Sequence, residues 1–386
     1  MKHKLLNLFL ILLGTFSAFL LAEFSLRMIQ FFGERNLFNL KPIYSTLVWQ
    51  NQKNFRKFIL NTNQQGWFVT PSGEYQTLIK TNSEGFYDIN HKIEKPQNTY
   101  RIILLGDSFV ANLQSPIEQT VGKEIEKKLN NKNLGKKIEV IPIGLGDTGS
   151  TQQLFALEEI GFKYNPDLVI QFFFTANDIK NNSLNLQKDL YRDYFLLENG
   201  SLRLAPEVNK ENNFFKKQLK KSKLVERLLY LRQIYLDSDK NNTFPIDYQI
   251  YQKVLNPDYQ KAWEVTQKLI LETKKQSEQK NSKYLLVTLA NNEQVNSDVW
   301  QEIKTKYPKL NSSGIDLENP DNLVKDFCLA ENIECLKLLP IFKNYSIKSS
   351  NPTHYKYDGH WNDKGIEIAS SAITEYLFNM DYFSIK

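Results

Sequence analysis

The stretch Arg101-Ile-Ile-Leu-Leu-Gly-Asp-Ser-Phe109 gives the first indication of the architecture. Its apolar residues form a short continuous run, which is typical of a buried strand in a parallel sheet. Gly106 permits a sharp turn, and the pair Asp107-Ser108 then stands at the carboxyl end of the strand, where open α/β sheets place their sites. Ser108 is therefore a candidate nucleophile, while an Asp-Ser helix N-cap explains the same stretch equally well.

Strands and helices alternate along the chain from residue 100 onward. We predict strands at 100–105, 138–143, 168–174, 284–289 and 333–338, and helices at 117–131, 150–163, 259–280, 321–331 and 364–378. This alternation predicts an α/β fold with a doubly wound, mostly parallel five-stranded sheet and helices on both faces.

Composition excludes several classes of protein. The 386 residues are 41% hydrophobic and 13% aromatic, which is typical of a folded chain. The net charge of +6 comes from interspersed lysines and acids, so nucleic acid is not an expected partner. Cys328 and Cys335 have no histidine beside them, which is a poor zinc pattern. A disulfide and two free thiols both remain open for this pair.

The amino terminus predicts a membrane segment. Lys-His-Lys at residues 2–4 precedes 18 nearly unbroken apolar residues, Leu5 to Ala22, which is long enough for a short span. Leu20 is too large for the position three residues before a cleavage after Ala22. We therefore expect an uncleaved single-pass signal anchor with its basic end in the cytoplasm and an extracytoplasmic body, periplasmic or at the cell surface. A cleaved signal peptide is the alternative.

Three regions are predicted. Residues 1–32 form the anchor and stem, 33–99 a small β-rich lead-in with strands on both sides of a Pro-Ser-Gly turn, and 100–386 the main domain. An insertion at about 180–258 interrupts the main domain, and within it 214–236 has the pattern of an amphipathic helix with a lysine-rich start. A solvated face, contact with an anionic surface or acidic polymer, and a lid over the site are the interpretations this segment allows.

A base for Ser108 has few candidates, because the chain has only four histidines: His3, His91, His354 and His360. The last of them is the best candidate, because Asp358 stands two residues before His360 and Gly359 between them makes a tight loop feasible. An acid at this spacing can hold the imidazole in one tautomer, which is its role in a serine–histidine–acid triad.

Two polar stretches at strand ends could supply donors to an oxyanion. The glycine-rich loop Gly144–Gly149 follows the second predicted strand, and its backbone around Gly146 can approach a ligand closely. Asn177 follows the third predicted strand and offers a side-chain amide. The glycine run lacks the acid expected of a dinucleotide site, so no nucleotide cofactor is predicted. Nothing else in the sequence suggests a metal, and none is predicted.

These blocks, in the order Ser, Gly, Asn and Asp-His over about residues 100–380, resemble the SGNH (GDSL-type) hydrolases. The matching stretches are Leu105–Phe109, Gly144–Leu154, Thr175–Asp178 and Asp358–Asn362. The resemblance implies a three-layer α/β/α, flavodoxin-like fold with Ser108 as nucleophile, His360 as base and Asp358 as its acid. It also implies an oxyanion hole formed by the Ser108 N–H, a glycine N–H and the Asn177 amide.

Two features depart from the usual pattern of the family. The family usually has Asp-x-x-His, but Tyr357 stands three residues before His360. The spacing Asp358-x-His360-Trp-Asn instead resembles a branch of membrane-associated polysaccharide O-acetyltransferases of the alginate type. In the glycine block, Gly146 or Asp147 falls at the expected glycine according to the alignment, so the second backbone donor remains open.

Three functions follow as hypotheses. The first is an anchored extracytoplasmic serine esterase that cleaves acyl esters, with acetyl as the first expectation. The second is an O-acetyltransferase that modifies a cell-envelope or exported polysaccharide. The third is a catalytically silent scaffold or glycan-binding protein. The expected partners are an ester or acylated glycan substrate, the membrane, and a polysaccharide-export or acyl-donor membrane protein.

Overall fold

The computed structural model describes residues 2–34, 45–52, 54–189, 192–206, 222, 224, 225, 228, 229, 244–311 and 314–383. The chain divides into two compact units. One contains residues 1–46 and 209–242, and the other contains residues 47–208 and 243–386.

The first unit is built on one long helix, α1, Lys2–Glu34. Within the described ranges, its segment His3–Gly33 is the one helix long and apolar enough to cross a membrane. In the same unit the Glu23 carboxylate accepts hydrogen bonds from the Ser222 hydroxyl and the Leu224 N–H, each at 2.8 Å. Most of the predicted helix 214–236 lies outside the described residues.

The second unit contains nine described strands and eleven described helices. The strands are β1 Gln65–Val69, β2 Gln76–Lys80, β3 Thr99–Gly106, β4 Lys137–Gly144, β5 Leu168–Phe173, β6 Phe195–Glu198, β7 Ser201–Leu204, β8 Lys283–Thr288 and β9 Cys335–Lys337. The helices are α2 Ser108–Ala111, α3 Val121–Asn130, α4 Ser150–Glu159, α5 Asp178–Asn181, α6 Leu184–Gln187, α7 Pro257–Gln279, α8 Asn292–Val295, α9 Ser297–Lys306, α10 Asn319–Ala330, α11 Leu339–Lys348 and α12 Asp363–Asn379.

The central sheet has five strands in the order β4-β3-β5-β8-β9, and every neighbouring pair is parallel. The chain runs from β3 outward to β4 on one side and then returns to β5 on the other side. This reversal creates a crevice at the carboxyl ends of β3 and its neighbours, which is where doubly wound sheets bind ligands.

Alternate side chains of β3 enter two separate cores, because successive residues of a strand point to opposite faces. Ile103 and Leu105 pack with α4, α7 and α10 on one face. Ile102 and Leu104 pack with α3, α11 and α12 on the other. The result is the three-layer α/β/α architecture.

The predicted α/β fold with its parallel five-stranded sheet is confirmed, and the five predicted strands agree with the observed bounds to within about two residues. The helices α8, α9 and α11 and the antiparallel hairpin β6–β7 were not predicted. In the lead-in, β1 and β2 form an antiparallel hairpin that belongs to the same compact unit as the sheet.

Candidate active site

Ser108 is the first residue of α2, directly after β3. The preceding residue, Asp107, is the N-cap, and its carboxylate accepts a hydrogen bond from the Phe109 N–H at 3.0 Å. Gly106 is needed for close packing and not for the expected turn, since its φ lies outside the left-handed region. A Cβ at Gly106 would lie only 2.6 Å from a methyl carbon of Val110.

The structure brings Ser108, His360 and Asp358 into one hydrogen-bonded chain. His360 Nε2 lies 2.7 Å from Ser108 Oγ, and His360 Nδ1 lies 2.5 Å from Asp358 Oδ1. Gly359 adopts a φ of +84°, which turns the loop tightly enough for Asp358 to reach the ring. A carboxylate at Nδ1 favours the tautomer that leaves Nε2 free to accept the serine proton.

The turn of the β1–β2 hairpin holds Asp358 from its other side. The Thr70 hydroxyl donates to Asp358 Oδ2 at 3.2 Å. The Glu74 carboxylate accepts hydrogen bonds from the backbone N–H of Asp358 at 2.7 Å and of Tyr357 at 3.1 Å. These supporting residues stand more than 280 positions away in the chain, so local spacing gave no signal for them.

The surroundings of Asp358 keep it ionised. Burial alone would raise the pKa of this carboxyl, but the hydrogen bond and the charge of His360, together with a hydrogen bond from the Tyr75 phenol, lower it below its usual value. The acid is thus negatively charged at neutral pH and can stabilise a positive charge that forms on His360.

The other histidine of this loop has a structural environment. His354 is buried, with its ring nitrogens bonded to the Ala290 carbonyl and the Thr353 hydroxyl. Burial lowers the pKa of His354 to about 4, so this ring is neutral at pH 7. The two residues after His360 also have structural positions: Trp361 lies in the core, and the Asn362 side chain caps α12.

The two predicted oxyanion stretches lie in different settings. Gly146 shares a cavity with Ser108, and a Cβ added there would meet open space. The neighbouring Asp147 is exposed and pairs with Arg192 at 3.0 Å. Asn177 stands at the N-cap of α5 and is not among the described residues that line the cavity. Its side chain interacts instead with the Asp107 carboxyl.

The buried carboxyl of Asp107, the residue directly before Ser108, interacts with a second buried carboxyl, that of Asp178. Burial raises the pKa of Asp107 to about 6. Burial, followed by the nearby charge of Asp107, raises the pKa of Asp178 well above its usual value. The Phe174 N–H donates to Asp178 at 2.9 Å, which ties this carboxyl to the end of β5.

A cavity of about 350 Å³ opens beside Ser108 and His360. Its remaining walls come largely from the lead-in and from the segment that follows α2: Trp49, Phe58, Leu60, Phe68, Tyr75, Gly85, Phe86, Tyr87, Ala111, Leu113, Gln114, Gly144, Gly146 and Asp147. In the part of the chain that the structure describes, no group of three or more histidine, cysteine or acidic side chains is arranged to hold a metal ion.

Cys328 and Cys335 are free thiols. A hydrogen bond to Cys328, followed by burial, raises the pKa of the Cys335 thiol, so this side chain is protonated at neutral pH.

Comparison with known proteins finds no matching family model and no matching curated protein, but it does find similar solved structures. The acetyl xylan esterase AlAXEase is 15% identical over 72% of this chain and 99% of its own, at a TM-score of 0.38. The lipase/acylhydrolase from Enterococcus faecalis is 13% identical over 73% and 96%, also at 0.38. TesA is 11% identical over 72% and 99%, at 0.37.

Proposed function

We propose that this chain is a serine esterase of the SGNH (GDSL) type that cleaves acyl esters through an acyl-serine intermediate. The observation that carries the proposal is the hydrogen-bonded chain Ser108–His360–Asp358, with contacts of 2.7 and 2.5 Å, at the edge of an open cavity. The order of the four sequence blocks gives independent support.

The proposed reaction has two halves. In the first, Ser108 Oγ bonds to the ester carbonyl carbon while His360 Nε2 takes the hydroxyl proton. The bond from that carbon to the alcohol oxygen then breaks, and the alcohol leaves with the proton from His360. In the second half, water attacks the acyl-serine, His360 takes a proton from the water, and Ser108 departs with that proton as the acid is released.

The oxyanion of each tetrahedral intermediate requires fixed N–H donors. The Ser108 N–H is one, and the N–H of Gly146, a residue that lines the same cavity, is our proposed second. The Asn177 amide is the third. Its interaction with the Asp107 carboxyl uses part of its hydrogen-bonding capacity.

The apolar helix α1 supports a single-pass anchor. The basic residues at its start favour a cytoplasmic amino terminus, so we propose that the esterase unit lies outside the membrane. Acyl esters of envelope glycans or lipids are the substrates that this location offers. An O-acetyltransferase would use the same acyl-serine and differ only in the acceptor, with a sugar hydroxyl replacing water in the second half.

The direct test is release of p-nitrophenol from its acetyl ester by the full-length chain in detergent, with and without a polysaccharide acceptor. The proposal expects turnover that the acceptor does not accelerate. Acceleration with formation of acetylated glycan would show the transferase instead. Turnover unchanged in the Ser108→Ala variant would show that Ser108 is not the nucleophile, and no turnover above the uncatalysed rate in wild type would indicate a catalytically silent chain.

A further inference from the structure

The wall of the cavity beside Ser108 is apolar to a degree that an acetyl ester does not need. Six of its residues are large hydrophobic side chains contributed by the lead-in and by the loop after α2: Trp49, Phe58, Leu60, Phe68, Phe86 and Leu113. Leu60 and Phe86 are almost fully buried, whereas Trp49 remains 41% exposed at the cavity wall.

The volume also exceeds that of an acetyl group. A cavity of about 350 Å³ accommodates roughly ten groups of the size of a water molecule, at about 30 Å³ each. An acetyl group contributes only three heavy atoms. An apolar cavity left mostly unfilled by its substrate would lose the burial that favours binding.

The side of the ester that enters the cavity follows from the reaction order. The acyl group stays bonded to Ser108 through the intermediate, whereas the alcohol takes a proton from His360 and must reach solvent before water enters. Ser108, Gly146 and the apolar residues line one cavity, so an acyl chain bonded to Ser108 can extend along these apolar walls.

We infer that this cavity is an acyl-chain pocket, and that the enzyme prefers apolar acyl groups of about six to ten carbon atoms over acetyl. This inference rests on the proposed esterase function and changes its expected substrate class, from acetylated to longer-chain acyl esters.

A pair of isomeric esters gives the sharpest test. Ethyl hexanoate and hexyl acetate have the same composition, so they partition alike into detergent, but they carry the long chain on opposite sides of the ester. Because each buried methylene is worth about fourfold in binding, kcat/KM of the full-length chain for ethyl hexanoate should exceed that for hexyl acetate and for ethyl acetate by at least tenfold. A ratio near one, or a preference for hexyl acetate, overturns the inference.

Two pocket variants and a matched control identify the cavity as the cause. Leu113→Trp should fill the pocket, and Trp49→Ala should remove part of its wall, so each should reduce the preference for ethyl hexanoate by fivefold or more. Trp67→Ala removes the same side-chain type from β1 of the lead-in, but Trp67 does not line the cavity, so the preference should be retained. Equal effects of Trp49→Ala and Trp67→Ala would contradict the assignment.

Covalent labelling separates the two levels of the proposal. If a small fluorophosphonate labels Ser108 but the ester kinetics show no chain-length preference, the acyl-pocket inference is wrong and the esterase proposal stands. Absence of both labelling and turnover overturns the esterase itself.

Discussion

Asp358 and His360 are separated by a single glycine, so the backbone has to reverse direction for the Asp358 carboxylate to reach the His360 ring. Gly359 at a φ of +84° makes that fold at no steric cost, and His360 then lies between Asp358 and Ser108. The Asp-x-His spacing is one residue shorter than the Asp-x-x-His spacing usual in SGNH hydrolases, but it retains the contacts of a serine–histidine–acid triad.

Asp358→Asn should lower kcat by about 10³- to 10⁴-fold, because an amide no longer favours the tautomer that accepts the Ser108 proton. Steady-state kinetics with p-nitrophenyl esters measure this. Asp363→Asn, on an exposed residue in the first turn of α12, is the matched control and should keep its activity. Similar activity in both variants would remove Asp358 from the mechanism.

Asp107 should make stability depend on pH. Burial raises its pKa from 3.8 to about 6, so the folded state binds this proton more tightly than the unfolded state. The free energy of unfolding therefore falls as pH rises from the unfolded-state pKa to the folded-state pKa, and the destabilisation is fully present above pH 6.

Asp107→Asn removes that charge and keeps an oxygen for the Phe109 N–H. Urea unfolding of wild type and variant at pH 4 and pH 7, followed by circular dichroism, should show the variant gaining stability relative to wild type at the higher pH. A difference that does not change with pH would mean that Asp107 is not buried as a carboxylate.

The β1–β2 hairpin is the element that links the lead-in to the site. Its turn supplies Thr70 and Glu74, which hold the side chain and the backbone of Asp358. We regard Glu74 as a positioning residue, since it contacts the loop and not Ser108 or His360.

Glu74→Ala should lower kcat by roughly 10- to 100-fold, the size expected for losing hydrogen bonds to a charged group, with little change in KM. Glu74→Gln keeps an acceptor oxygen and should recover most of the activity. Glu94→Ala, on an exposed glutamate of the same lead-in, is the control. If the Ala and Gln variants of Glu74 are equally impaired, the hydrogen bonds are not the cause.

The molecule as a whole combines the unit that holds the candidate active site with an apolar helix suited to a membrane. We expect the full-length chain, at 45.2 kDa, to remain in the membrane pellet after an alkaline carbonate wash. The double variant Leu12→Arg, Leu13→Arg should release it, since each arginine costs about 3 kcal/mol at the centre of a span. Arginine at the exposed Val254 and Leu329 is the control, and release by that variant instead would argue against the anchor.

Local pattern was sufficient for the central sheet, because β3, β4, β5 and β8 are mostly apolar and are buried on both faces. The contact of His360 with Ser108 could also be predicted from the sequence, since only four histidines were candidates. Short helices such as α8 carry too few residues for a periodic signal.

The rest of the site depends on tertiary contacts. Nothing near Asp358 in the chain indicates Thr70 or Glu74, which reach it only because the hairpin packs onto the main domain. The apolar cavity likewise combines the lead-in residues Trp49 and Phe68 with Leu113 of the main domain, and its volume can be seen only once both are folded.

The most direct measurement of the central claim is labelling of the full-length chain by a fluorophosphonate, read by peptide mass spectrometry. We predict one modified serine, Ser108, with labelling abolished in Ser108→Ala and slowed at least 100-fold in His360→Ala. Labelling at another serine, or an unchanged rate in His360→Ala, would contradict the assignment of Ser108 as a nucleophile activated by His360.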